Sequence, residues 1–190
     1  MDSYLKAKLV SWRKISVILF TNAPRPENVK VSLFKNEKCL KRETLSRLTS
    51  FNSLYIFDMS LDEDYELGAH YRLLVNNFPF ANIDVSDAVD FPDFDDRYYY
   101  EGDDLGSIYT KEETTFTLWA PLAESVTLKL LSPYDETSLQ EMSRESHGIY
   151  RIKIKGDLLT YKYQYIVNNN GVVSTANDPY AKGTSFNSKI

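Results

Sequence analysis

The sequence predicts an all-β protein built as two consecutive immunoglobulin-like β-sandwich domains, and three observations carry that prediction. Alternating or apolar runs of strand length recur along the 190 residues. Turn-forming residues lie between many of them, as a succession of short strands requires. Aromatics make up 14% of the chain, with 14 tyrosines, a bias that suits a half-buried pleated surface.

In the first half the strand-like runs are Ile15–Phe20, Val29–Phe34, Leu54–Phe57 and Tyr71–Val75. In the second they are Phe116–Trp119, Val126–Leu131, Tyr150–Ile154 and Tyr161–Val167. Val126-Thr127-Leu128-Lys129-Leu130 and Tyr150-Arg151-Ile152-Lys153-Ile154 alternate cleanly, so one face of each is buried and the other wet. Helical character is confined to Leu45–Ser53 and Asp135–Arg144. Between Asp84 and Asp104 the acids Asp84, Asp87, Asp90, Asp93, Asp95, Asp96, Glu101, Asp103 and Asp104 face a single Arg97, with Pro92 among them. Dense carboxylates repel and proline cannot donate to a ladder, so this stretch reads as a surface connector. It divides the chain into domains at 1–95 and 96–190, each of roughly 90 residues, near the lower size for a self-supporting core. Calcium is the alternative for so many oxygens, but the Asp-x-Asp-x-Asp-Gly order of a calcium loop is missing.

The formal charge of −5 argues against nucleic acid, which needs a concentrated basic face, and gives no hold on an anionic membrane. A neutral polysaccharide requires no net charge. Cys39 is the lone cysteine, so no internal disulfide forms, which favours a reducing compartment. The first residues, Met1 to Lys8, lack the basic-then-apolar order of a signal peptide, and the expected location is cytoplasmic. His70 and His147 have no zinc spacing, and neither a phosphate-cradling glycine loop nor a Gly-x-Ser-x-Gly elbow occurs. No catalytic residue, metal site or cofactor is expected in this chain.

Several aromatics invite two readings. Trp119 ends a strand before Ala120-Pro121, where it is a sugar platform or a packing anchor, and packing is favoured. Tyr161, Tyr163 and Tyr165 share one sheet face and read first as core. Asn168-Asn169-Asn170-Gly171 is a hairpin turn, because Asn and Gly tolerate positive φ.

An ordered series of blocks runs through the second half: Tyr99-Tyr100-Glu101-Gly102, Leu105-Gly106-Ser107-Ile108-Tyr109, Phe116–Pro121, Gly148-Ile149-Tyr150, Gly156-Asp157-Leu158 and Asp178-Pro179-Tyr180-Ala181-Lys182. This half resembles a family 48 carbohydrate-binding module as it occurs in bacterial type I pullulanases. The first half, with its Phe94-Asp95-Asp96 lead-in, is similar to the family 68 module of intracellular relatives. The resemblance implies non-catalytic N-terminal domains of an enzyme that hydrolyses α-1,6-glucosidic linkages. It implies as partners an α-glucan (maltooligosaccharide, glycogen or starch) and a catalytic barrel elsewhere in the parent chain. Such a barrel needs about 200 or more residues of alternating strand and helix, which this chain does not contain. Sugar-binding members of family 48 carry a tryptophan beside the hairpin, where this chain has Val172-Val173. The candidate sugar contacts are therefore Tyr134, Asn169 and Asn170, with Trp12 and Tyr4 in the first domain. A stand-alone glycogen-binding adaptor and a purely structural interaction module are the alternatives.

Overall fold

The computed structural model describes residues 3–22, 28–46, 48, 50–181, 183–184 and 188–189. Its contacts divide into two compact units, Met1–Pro92 and Asp93–Ile190.

The first unit contains β1 (Tyr4–Ser11), β2 (Lys14–Phe20), β3 (Asn28–Lys35), β4 (Lys38–Ser46), β5 (Ser50–Phe51), β6 (Leu54–Ser60), β7 (Tyr71–Val75) and β8 (Ala81–Asp84). They pair in the order β4-β3-β7-β8-β1-β2-β6-β5. β8 joins the two halves of the sheet, antiparallel to β7 and parallel to β1. Alternation decides what each half buries. Val29, Val31 and Leu33 of β3 and Tyr71, Leu73 and Val75 of β7 are buried on one side. Ala7 and Leu9 of β1, Ile15, Val17 and Leu19 of β2, and Tyr55, Phe57 and Met59 of β6 are buried on the other.

The second unit begins with a short helix α1 (Phe94–Tyr98) and continues through β9 (Gly106–Tyr109), β10 (Glu113–Trp119), β11 (Ser125–Leu131), β12 (Thr137–Glu141), β13 (Ser143–Arg144), β14 (Ile149–Lys155), β15 (Lys162–Asn169), β16 (Val172–Ala176), β17 (Gly183–Thr184) and β18 (Ser188–Lys189). One sheet runs β13-β14-β10-β9 and the other β12-β11-β15-β18-β17, with β16 also on β15. Phe116, Val126, Leu128, Leu130, Tyr150, Tyr163 and Tyr165 form the core between them. The unit is a β-sandwich, and the all-β expectation holds.

Two expectations fail for the same reason. Asp135–Arg144 is not helical but supplies β12 and β13, and the described part of Leu45–Ser53 is strand and turn, with Arg47 and Thr49 outside the described residues. β12 and β4 are the end strands of their sheets, and every side chain of β12 is exposed. An end strand with a wet face has no need of the period-two apolar pattern that marks a central one.

The acidic stretch is also more than a connector. Ser86–Asp90 forms a 3-10 turn with Ala88 buried, and α1 buries Phe94. Most of its carboxylates face water while Ala88 and Phe94 are buried.

Candidate functional site

The five predicted sugar contacts do not converge. Tyr134 crowns the β11–β12 turn, 87% exposed. Ser132 Oγ accepts the amides of Tyr134 (3.2 Å) and Glu136 (3.1 Å), and Asp135 takes a positive φ of 61°. This self-bonded turn leaves the phenol nowhere to pack. The β15–β16 turn has Asn170 and Gly171 at φ of 49° and 92°, the twist that two-residue hairpins require. Asn168 Oδ1 accepts the Gly171 amide at 2.7 Å. Asn169 is half-buried there, and Asn170, expected to be exposed, is buried at 4%.

Register separates these two turns. β11 and β15 pair Leu131 with Lys162 at one end and Ser125 with Asn168 at the other. Tyr134 and the asparagines therefore lie at opposite ends of the strand pair, roughly 20 Å apart at about 3.3 Å per residue. In the first unit Trp12 is buried, donating its indole N–H to Pro92 O at 3.0 Å and meeting Phe91 edge-on at 5.2 Å. It closes that unit and offers no free face. Tyr4 is partly exposed but stacks on Phe20 at 5.4 Å.

A different place gathers chemistry. The outer face of β10 and β14 sets Thr117 opposite Arg151 and Trp119 opposite Ile149. Arg151 donates to Asp104 Oδ2 (2.6 Å), Thr117 Oγ1 (2.8 Å) and Tyr100 Oη (3.3 Å), and its Nε lies 3.1–3.2 Å from both Glu145 oxygens. Tyr100 Oη donates to Asp104 Oδ1 at 2.5 Å. These bonds hold the Asp104 carboxyl below the usual range, through Tyr100 first and Arg151 second, and push the Tyr100 phenol up. Burial works against the Arg151 charge, but its bonds to Asp104, Glu145 and Tyr100 outweigh that and keep it protonated. Next to this network lies a cleft of about 610 Å³ lined by Asp95, Asp96, Tyr99, Tyr100, Glu101, Gly102 and His147. The sequence quoted several of these residues as family signature without marking them as a site. Residues from α1, the following loop and the turn before β14 meet only after folding.

The signature blocks prove to be the fastenings of the second unit. Trp119 Nε1 donates to Tyr98 O at 2.8 Å and its ring meets Phe94 edge-on at 6.5 Å, which ties β10 to α1 although the indole remains 40% exposed. Tyr109 Oη donates to Asp157 at 2.8 Å, joining two blocks 48 residues apart. Gly148, at φ 74°, leaves no room for a side chain against Pro121. Tyr163 and Tyr165 both donate to the buried Asp178 Oδ2 (2.7 and 3.3 Å), and Asp178 Oδ1 accepts the Tyr180 amide at 2.8 Å. Burial first, and then Asp178, pushes both phenols well above the ordinary tyrosine range. Lys182, the last residue of that block, lies outside the described residues.

Residues 104–181 match the carbohydrate-binding module 48 family (isoamylase N-terminal domain). The pullulanase of Bacillus subtilis (strain 168) is 30% identical over 147 residues, covering 69% of this chain and 20% of that protein. The crystal structure of the Anoxybacillus sp. LM18-11 pullulanase superposes with a TM-score of 0.86 at 26% identity, over 98% of this chain and 27% of that one. The chain is similar over nearly its whole length to the N-terminal region of these pullulanases. The same Anoxybacillus enzyme complexed with maltotriose superposes with a TM-score of 0.85 at 26% identity, again over 98% and 27%. The pullulanase-like chain thus spans about a fifth of the curated relative and about a quarter of the solved ones.

Proposed function

We propose that this chain provides non-catalytic N-terminal domains of a pullulanase that hydrolyses α-1,6-glucosidic linkages in pullulan, starch or glycogen. In this reading it supports the catalytic barrel, binds α-glucan and works in the cytoplasm, the compartment that the lone Cys39 favours. The observation that carries the proposal is the likeness to the Anoxybacillus pullulanase over 98% of the chain. The family 48 match across residues 104–181 and the maltotriose held by that pullulanase support α-glucan as the ligand class. The described residues are consistent with a supporting role, because Tyr109, Asp157, Trp119 and Asp178 of the signature blocks are spent on internal hydrogen bonds.

Two experiments test it. Titration of the chain with maltotetraose, followed by tyrosine and tryptophan chemical shifts, is expected to give saturable changes; none at millimolar sugar removes glucan binding from the proposal. Deletion of these residues from the parent gene product is expected to lower the melting temperature of the barrel. An unchanged barrel would instead favour a binding adaptor that does not buttress its neighbour.

A further inference from the structure

We infer that the cleft beside β14, walled by Tyr99, Tyr100, Glu101 and His147, is a subsite for a short α-glucan chain. The inference rests on the proposed glucan-binding role and gives it a place.

The cleft's volume of about 610 Å³ falls within the roughly 300–1,000 Å³ of pockets that hold small ligands. Tyr99 is 63% exposed although both neighbouring aromatics, Tyr98 and Tyr100, are partly covered. An exposed ring in a concavity offers a flat apolar face of the kind that the C–H face of a pyranose covers. Tyr100 forms a fixed wall: its hydroxyl is tied to Asp104 and Arg151, and its ring sits so close to Gly102 that any side chain there would collide with it. A wall held before binding spares the ligand the ordering of that side chain.

The polar lining selects the ligand. Asp95, Asp96 and Glu101 present carboxylate oxygens, which only accept hydrogen bonds, and among the described residues no lysine or arginine lines the cleft. Anions are disfavoured there. Among the described residues no group of three or more His, Cys, Asp or Glu side chains is arranged to hold a metal ion. A neutral molecule rich in hydroxyl donors, with apolar faces for Tyr99, satisfies both requirements. Tyr134 and Val172-Val173 lie elsewhere on the module and play no part in this subsite.

The test compares the whole 190-residue chain with Tyr99→Ala, Tyr99→Trp, Glu101→Gln and Tyr134→Ala in maltotetraose titrations, with a thermal melt of each variant. Tyr99→Ala is expected to weaken binding at least about tenfold, and Glu101→Gln severalfold, while Tyr99→Trp keeps or tightens it. Tyr134→Ala should bind like the parent. If Tyr99→Ala and Glu101→Gln bind like the parent, the subsite is overturned while the glucan-binding role stands. If Tyr99→Ala weakens binding but Tyr99→Trp, equally stable, does not restore it, stacking is overturned as the basis of the subsite. Failure of the parent chain itself to bind would sink the broader role and the subsite together.

Discussion

The two units reach a folded state by different means. Among the described residues the first buries Thr21 and the polar-tipped aromatics Trp12, Tyr55, Tyr65 and Tyr71 but no charged side chain. Its ion pairs, including Arg13–Asp64, Lys41–Asp62 and Arg72–Glu37, each keep one partner in solvent. The second buries Thr114, Thr117, Ser132, Asn170, Asp178 and Ser188. It joins distant segments by named bonds, such as Tyr150 Oη to Ala123 O at 2.8 Å and Arg144 to Pro121 O at 3.1 Å. An apolar contact tolerates many side chains of suitable volume, whereas a buried hydrogen bond accepts few alternatives. The residues matched by the family, 104–181, lie in the second unit. A sequence can be recognised where its residues are individually required.

If that contrast is right, Asp178→Ala should be the most damaging single change. It orphans two buried phenols, at about 1–3 kcal/mol each, for a loss of about 4 kcal/mol confined to the second unit. Native-state hydrogen exchange reads each unit separately, and an equal loss in the first would break the comparison. Leu73→Ala in the first unit should cost about 3 kcal/mol through the cavity it leaves.

Gentler swaps sharpen the difference. Leu33→Met, nearly conserving volume, should cost less than about 1 kcal/mol, while Tyr163→Phe, which removes one oxygen, should cost about 1.5 kcal/mol. Urea midpoints in the reverse order would mean that the second unit's polar network is ornamental.

Acid comes next. The folded Asp104 carboxyl titrates below its ordinary range, so its stabilisation is present above about pH 4 and fades as pH falls through the lowered value. Asp104→Asn should flatten the second unit's stability-against-pH curve below about pH 4. The smallest effect is expected from Lys14→Ala, which breaks an exposed pair with Asp58 and should leave the melting temperature unchanged.

Much of the fold was legible because central strands carry its pattern. Val126–Leu131 lies within β11, where the sequence alternation is the burial alternation, and Tyr150–Ile154 lies within β14, where Arg151 is covered as well as Ile152. Among the strands outside the predicted runs, β4, β12 and β16 lie at sheet margins or face water, where the apolar pattern vanishes. By contrast, β1 is a central strand that buries Ala7 and Leu9 and was missed despite its alternation. The candidate site was harder. Tyr134, predicted as a sugar contact, is exposed, yet nothing along the chain showed that it and Asn169 occupy opposite ends of a strand pair.

What the amino-acid sequence determined by itself was class and kinship, since period-two burial and a set of individually required residues are both properties of the linear order. Only the tertiary structure decided which residues meet. Asp178 is claimed by two tyrosines rather than left to solvent, Trp12 is closed over by Phe91 and Pro92, and Tyr99 and Tyr100 stand beside His147 across 47 residues of chain. Such meetings depend on strand order and register. These are set by the burial of whole sheet faces together, and no local stretch of sequence encodes them alone.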